Sequence, residues 1–224
     1  DLFKQENISI ENLVFPYFPY SRSNHIHKHQ TRPLYTLIEN LNRAPINTIL
    51  TFDPHFGDQN LPIHAHFKII DQVHILEKVL EQNLDHDSLL IGPDSGSQKR
   101  VHQIAQKFDL DSIILNKTRI AHQEKVKINI KNSDQKELQN AHHIAIFDDE
   151  ICSGNTIHKT IEEILKYNQT LKIDIYITHF FMQEINDPLF AKIENLYISN
   201  SVKSDFSDPK IKTIDLADMI VEQI

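Results

Sequence analysis

The chain has 224 residues, 40% of them hydrophobic and 24% charged, an ordinary composition for one large α/β domain or two small ones. Its net charge of −8 disfavours binding to nucleic acid or to an anionic membrane surface, so we expect neither as a partner. A single cysteine excludes an internal disulfide framework, and no apolar run approaches the roughly 20 residues that cross a membrane. These features favour a cytoplasmic protein whose partners are small molecules and copies of itself.

Short apolar runs alternate with helical patterns along the chain, an arrangement typical of parallel strands joined by crossover helices. Two segments, one after Asp94 and one after Asn155, place apolar residues on one helical face. We therefore predict an α/β fold with parallel sheets flanked by helices. The predicted strands are residues 13–17, 46–52, 88–91, 112–115, 143–147, 173–178, 196–198 and 212–214.

Residues 144–156 combine an apolar strand, an acidic pair, a turn of small residues and a helix start. Carboxylates at the end of a parallel strand can accept hydrogen bonds from neighbouring sugar hydroxyls, and a helix N-terminus favours a phosphate group. A ribose 5-phosphate would span both halves. The predicted ribose-5-phosphate-binding residues are Asp148, Asp149, Ser153, Gly154, Asn155 and Thr156.

Two features of this segment also have simpler interpretations. A bare acidic pair often only caps a helix, so the binding role depends on the whole pattern. Cys152 lies near a helix N-terminus, which lowers a thiol pKa in general, but no histidine has an obvious partner spacing. We interpret Cys152 as a loop residue without a catalytic role.

The pattern over residues 144–156 resembles the phosphoribosyl pyrophosphate signature that type I phosphoribosyltransferases share with ribose-phosphate pyrophosphokinases. Further segments resemble the pyrophosphokinases in particular, in the same order along the chain. These are residues 15–22, residues 51–55, residues 92–96 with Arg100 further on, residues 116–119, and the closing strand and helix of residues 210–224. The resemblance implies transfer of the β,γ-pyrophosphoryl group of ATP to ribose 5-phosphate.

The resemblance also implies roles for individual residues. It assigns ATP binding to Arg22 and His55, and catalysis to Lys117 and Arg119 at the start of a mobile loop. Without that context the two basic residues would be interpreted as a solvated turn. The resemblance assigns the pyrophosphate loop to Asp94, Ser95 and Gly96, and binding of Mg²⁺ to His55 and Asp94.

The resemblance implies two phosphoribosyltransferase-type domains with the active site between them. We expect an incomplete first domain, residues 1–60 with 210–224 packing back on it, and a second domain of residues 61–209. The family has a further half-domain ahead of the segment matched by residues 15–22, and we expect it to be missing here. A homo-oligomer is expected to cover the exposed sheet edge.

Three alternatives stay open. Ser23, Asn24 and His25 replace the family's Gln-Asp-Arg and weaken the expected ATP site, which favours a non-catalytic member that binds ribose phosphates and regulates a partner. A phosphoribosyltransferase would instead consume phosphoribosyl pyrophosphate with a base. His27 and His29 could join His25 in a metal site on one face of a strand, although an exposed polar loop is the favoured interpretation.

Overall fold

The computed structural model describes residues 5–6, 8–23, 32–57, 59–119, 126–183 and 190–224. The chain divides into two compact units, Asp1–Ile75 with Asp215–Ile224 and Leu76–Ile214. Parallel sheets flanked by helices confirm the predicted fold class. Within the described part of the chain, no helix is long and apolar enough to cross a lipid bilayer.

The helices and strands follow one another in a mostly alternating order. They are β1 (Ile10–Phe15), α1 (Pro33–Leu41), β2 (Ile46–Phe52), β3 (His66–Ile70), α2 (Gln72–Asn83), β4 (Leu89–Gly92), α3 (Gln98–Phe108), β5 (Ser112–Ile114), β6 (Asn116–Arg119), β7 (Val126–Asn129), α4 (Asn132–Asn140), β8 (His143–Ile151), α5 (Asn155–Ile164), β9 (Lys172–Phe180), β10 (Asn195–Ser199), β11 (Ile211–Ile214) and α6 (Ala217–Gln223).

The first unit contains a three-stranded parallel sheet with the order β1-β2-β3. Helix α1 begins with Pro33, which suits a position whose backbone N–H would lack a helical partner, and it buries Leu34 and Ile38 one turn apart. The core residues packed together here are Phe18, Leu34, Ile38, Ile49, Phe56 and Leu61. The sheet and α1 thus share one small apolar core.

Phe18 is the centre of this first core. Its ring makes edge contacts with Phe15 at 5.2 Å, Phe56 at 5.6 Å and Phe67 at 5.6 Å, and the residue is fully buried. Such aromatic pairs stabilise beyond the area that they bury. The contacts hold the segment after β1 against the sheet and so fix the chain just ahead of Arg22.

The second unit contains a six-stranded sheet with the order β11-β10-β9-β8-β4-β5 and a separate antiparallel pair, β6 and β7. All neighbours in the larger sheet are parallel. The central strands β8 and β9 are buried along most of their length, and they carry the near-continuous apolar runs that a sheet covered on both faces requires.

Helices cover both faces of the larger sheet. Ile146 shares a core cluster with Ile157 of α5. Ile91 is the register partner of Ile146, so the next residue, Gly92, faces the opposite side, where Val101 of α3 packs. On this second side three aromatic rings stack across β8, β9 and β10, with centroids 4.9 and 4.7 Å apart. They are Phe147, Tyr176 and Tyr197.

A buried polar network closes the amino ends of β8 and β9. The hydroxyl of Ser88 accepts from the Asp85 backbone N–H at 2.9 Å and lies 2.8 Å from His143 Nδ1. His143 Nε2 lies 3.1 Å from one carboxylate oxygen of Asp174, and the other oxygen accepts two bonds of 3.0 Å from Asn195. Ser88, His143 and Asp174 are buried, and each has hydrogen-bond partners.

Each predicted strand has an observed counterpart, but several bounds differ. The largest change is in β8, which continues to Ile151 instead of ending at Phe147, because its pairing with β9 persists as far as Phe180. The observed elements without a predicted counterpart are the strands β3, β6 and β7 and the helices α1, α2 and α4.

The units differ from the expected domain bounds of 1–60 with 210–224 and 61–209. The first unit extends to Ile75, since β3 pairs with β2. Strand β11 pairs with β10, so residues 211–214 belong to the second unit, and Asp215–Ile224 to the first.

Candidate functional site

The candidate site lies at the carboxyl edge of the larger sheet, where two neighbouring strands end. Strand β4 ends at Gly92 and is followed by the turn that contains Asp94. Its neighbour β8 runs on past this level to Asp148 and Asp149, and a second turn then leads into α5. Since ligands of parallel sheets bind at such carboxyl edges, this arrangement brings the two predicted ligand segments together.

The turn after β4 is organised by Asp94. Its carboxylate accepts a hydrogen bond from the Gly96 backbone N–H at 2.9 Å, and its carbonyl accepts from the Ser97 hydroxyl at 2.7 Å. The side chain thus caps the short 3-10 turn Ser95–Ser97 that leads into α3. Asp94 is half-buried while Ser95 and Gly96 are exposed, so this turn presents backbone and carboxylate groups at the edge.

Gly92 is a structural requirement of this turn that the sequence analysis did not single out. A Cβ on Gly92 would lie 2.5 Å from the Ser97 hydroxyl oxygen and 2.7 Å from the Ile114 side chain. Both distances are too short for any larger residue without movement of the turn. A glycine at a strand end ahead of a helix is the signal that could have identified it.

The acidic pair at the end of β8 is crowded. Asp149 is buried, with 5% of its surface exposed, and Asp148 is half-buried. Burial raises the pKa of Asp148 well above its usual value of 3.8, and the charge of Asp149 and a side-chain hydrogen bond with Asp149 raise it further. Arg100 opposes this shift, while Asp94 adds to it. The ionised form of Asp148 is therefore disfavoured by burial and by the neighbouring carboxylates.

Arg100 joins the acidic pair from α3. Its guanidinium lies 3.7 Å from the Asp149 carboxylate, and the two side chains expose only 15% and 7% of their surfaces. Arg100 belongs to a segment that resembles the family, but the resemblance assigns it no role of its own. Its contact with Asp149 could not be predicted from spacing, since it depends on β4 and β8 being neighbours.

The turn between β8 and α5 leads directly into a helix N-terminus. Gly154 has a φ of 74°, a left-handed value, and its carbonyl accepts the first helical bond of α5 from His158 at 2.8 Å. Met182 packs against Gly154 on the inner side. Cys152 and Ser153 are exposed, as is Asn155 at the helix start, followed by the half-buried Thr156. The first amides of a helix have no acceptors inside the helix, which suits a phosphate.

The predicted ATP-binding residues lie in the first unit. Arg22 is exposed in the 3-10 turn Ser21–Ser23, and His55 is exposed shortly after β2. Each is two residues from a non-glycine residue with positive φ, Tyr20 at 62° and Asp53 at 35°. Strained backbone of this kind is concentrated at functional sites. The histidine metal site proposed for residues 25, 27 and 29 lies outside the described residues, as does Asn24.

The predicted catalytic residues Lys117 and Arg119 lie in β6. This strand pairs with β7 in an antiparallel ladder in which Lys117 is opposite Ile128 and Arg119 is opposite Val126. The resemblance suggested the start of a loop here, whereas the backbone of residues 116–119 is a strand that follows β5 after one residue. Residues 120–125 lie outside the described residues.

Among the described residues, no group of three or more His, Cys, Asp or Glu side chains is arranged to hold a metal ion. The predicted ligands of Mg²⁺, His55 and Asp94, belong to different units. Magnesium usually binds through one or two carboxylates and completes its shell with water and phosphate oxygens. An ion of this kind beside Asp94 and Asp148 would offset the carboxylate charges that, after burial, raise the pKa of Asp148.

Comparison with known proteins gives a consistent result. No family model matches the chain. A ribose-phosphate pyrophosphokinase of Mesorhizobium japonicum is 24% identical over 236 residues, which cover 100% of this chain and 73% of that protein. A ribose-phosphate pyrophosphokinase of Mycoplasma genitalium is 26% identical over 239 residues, which cover 100% of this chain and 69% of that protein.

The fold shows the same similarity. The crystal structure of phosphoribosylpyrophosphate synthetase from Mycobacterium smegmatis superposes with a TM-score of 0.79 at 17% sequence identity, covering 99% of this chain and 72% of that one. Both units of the chain are included in this coverage. The chain is therefore similar to ribose-phosphate pyrophosphokinases over its whole length.

Proposed function

We propose that the chain is a ribose-phosphate pyrophosphokinase that transfers the β,γ-pyrophosphoryl group of ATP to the anomeric hydroxyl of ribose 5-phosphate. Its homologues with this name are enzymes. In the reaction, a bond forms between the anomeric oxygen and the β-phosphorus. The bond from the β-phosphorus to the oxygen bridging it to the α-phosphorus breaks, AMP leaves, and the hydroxyl proton is lost. The product is phosphoribosyl pyrophosphate, a precursor for nucleotide biosynthesis.

One observation carries the proposal. The acidic pair, the turn ahead of α5 and the Asp94 turn occupy one edge of one sheet, on neighbouring strands. The start of α5 suits the 5-phosphate, and the carboxyl oxygens of Asp148 and Asp149 can accept hydrogen bonds from the ribose hydroxyls. The Asp94 turn then lies next to the sugar for the pyrophosphoryl group.

Catalysis of this transfer depends on the positioning of the reacting groups and on stabilisation of their charge, because phosphoryl transfer needs little covalent catalysis by the protein. We assign stabilisation of the transferring oxygens to Lys117 and Arg119, and binding of ATP to Arg22 and His55. Bound Mg²⁺ would neutralise phosphate charge. We propose that Asp94, in the second unit, is a carboxylate ligand of this ion.

The direct test is AMP release by the purified chain with ATP, Mg²⁺ and ribose 5-phosphate. We expect release that requires the sugar phosphate and is lost in Lys117→Ala. Lys136→Ala, an exposed lysine of α4, is the matched control and should keep wild-type release. Release without ribose 5-phosphate, or equal release by the Lys117 variant, would contradict the assignment.

A non-catalytic role is the second candidate. Ser23, the first of the three departures from the family pattern, lies directly after Arg22 in the same 3-10 turn, so a changed ATP site is the feature that favours it. Calorimetric titration separates the two functions. Ribose 5-phosphate binding without ATP binding or AMP release would establish the non-catalytic role, while turnover of phosphoribosyl pyrophosphate with a base would establish a transferase.

We also propose that the protein acts in the cytoplasm as a homo-oligomer. Val221 and Ile224 expose 70% and 64% of their surfaces, which favours an apolar contact with another copy. Light scattering after size exclusion tests this proposal. A stable monomer at micromolar concentration would contradict it.

A further inference from the structure

We propose that Arg100 is a positioning residue of the ribose 5-phosphate site, acting through Asp149 and not by contact with the sugar. This inference depends on the function proposed above, because it concerns the same site. It assigns a role to the one cation that the described residues bring against the acidic pair through a close ion pair.

Arg100 and Asp149 form an ion pair. The guanidinium of Arg100 and the carboxylate of Asp149 are 3.7 Å apart and mostly buried. An arginine keeps its charge when buried, and a carboxylate buried beside it stays fixed in position. The Asp149 backbone N–H in turn donates to the Asp148 carboxylate at 3.0 Å. Arg100 is therefore connected through Asp149 to the more exposed carboxyl group, Asp148.

Arg100 is held in place by the start of α3. It is the third residue of α3, which starts directly after the turn capped by Asp94. That turn cannot shift easily, because Ser97 packs tightly against Gly92 and donates to the Asp94 carbonyl. The first turn of α3 thus forms a rigid connection from the proposed pyrophosphate turn to the proposed ribose residues.

Arg100 also opposes the negative charge of the nearby carboxyl groups. Asp94, Asp148 and Asp149 place three carboxyl groups near one another, and Arg100 is the cation that acts on Asp148 against them. Without Arg100 the carboxyl groups would repel one another more strongly, and Asp149 would lose the partner that holds it. The carboxyl geometry that the ribose hydroxyls need would then be lost, although the surrounding sheet would stay intact.

The test uses calorimetric titration of the full chain with ribose 5-phosphate and, separately, with ATP. Arg100→Met removes the charge and keeps much of the side-chain volume, while Arg100→Lys keeps the charge. We expect Arg100→Met to weaken ribose 5-phosphate binding at least about tenfold and to leave ATP binding within about twofold of wild type. Arg100→Lys should recover part of the lost affinity. An equal loss for both ligands would indicate general damage to the fold and overturn the inference.

A double-mutant cycle shows whether Arg100 acts through Asp149. In the background of Asp149→Asn, the further change Arg100→Met should alter ribose 5-phosphate affinity by less than about twofold. Additive losses would overturn the inference. Thermal unfolding shows whether each variant folds. If Arg100→Met does not fold, Arg100→Lys is compared with the wild type instead. If the wild-type chain itself does not bind ribose 5-phosphate, the proposed function fails; if it binds and Arg100→Met binds equally well, only the role of Arg100 fails.

Discussion

Carboxyl groups at the two ends of strand β8 have opposite environments. At the amino end, the Asp174 carboxylate accepts bonds from His143 and twice from Asn195, and His143 and Asp174 are both buried. At the carboxyl end, Asp148 lies beside Asp149 and Asp94, and burial together with their charges raises its pKa. A satisfied carboxylate stabilises the fold, whereas carboxyl groups held in mutual repulsion are typical of a ligand site.

The largest effect should come from breaking the amino end. Asp174→Ala leaves a buried histidine and the Asn195 donors without their acceptor, so we expect the free energy of unfolding to fall by about 3 kcal/mol. Urea denaturation measures the loss. Ribose 5-phosphate affinity of the folded fraction should not change, since the network closes the other end of the strand. A loss below about 1 kcal/mol would contradict the structural role.

Gly92→Ala tests the support beneath the carboxyl end. The new Cβ would overlap the Ser97 hydroxyl and the Ile114 side chain, and such overpacking costs about 2 kcal/mol of unfolding free energy. Gly96→Ala is the matched control, because its Cβ meets only the Asp94 carboxylate at 3.1 Å. Denaturation of both variants should rank Gly92→Ala well below Gly96→Ala in stability. Equal stabilities would show that the turn adapts.

Asp148→Asn should stabilise the fold, whereas most substitutions of buried residues destabilise it. Removing a charge that burial and the neighbouring Asp149 disfavour should raise the free energy of unfolding at neutral pH. Ribose 5-phosphate affinity should nevertheless fall at least about tenfold, because the amide cannot replace a carboxylate that accepts from sugar hydroxyls. Unfolding and calorimetry on the same sample measure the two effects.

The pH dependence of stability tests the sign of the Asp148→Asn effect independently. The folded protein holds the Asp148 proton more tightly than the unfolded chain, so this group stabilises the fold most below pH 3.8 and less as the pH rises towards its folded pKa. The stability advantage of Asp148→Asn over wild type should therefore grow as the pH rises above 3.8. An advantage that is constant with pH would exclude the disfavoured charge of Asp148 as its cause.

The smallest effect should come from Cys152, which lies in the turn between the acidic pair and α5. Its side chain is exposed, so Cys152→Ala should change unfolding free energy by less than about 0.5 kcal/mol. AMP release and ribose 5-phosphate affinity should stay within about twofold of wild type. A large loss of turnover with normal binding would instead assign the thiol a chemical role.

Some elements that the sequence analysis missed had detectable signals. Helix α1 begins with Pro33 and buries Leu34 and Ile38 four residues apart, which is a recognisable helix pattern. Strand β3 had a weaker signal, since it is short, mostly half-buried and begins with an exposed histidine. Its assignment depends on pairing with β2, a contact that local periodicity does not encode.

The sequence by itself determined the α/β class, the strands of the central sheet and the likeness to ribose-phosphate pyrophosphokinases, because these depend on local apolar patterns and on motifs read in order. Only the tertiary structure decided which carboxylates are satisfied and which are crowded, and that Arg100 contacts Asp149. The physical reason is that strand order makes β4 and β8 neighbours, and burial then sets the charge balance between residues far apart in the chain.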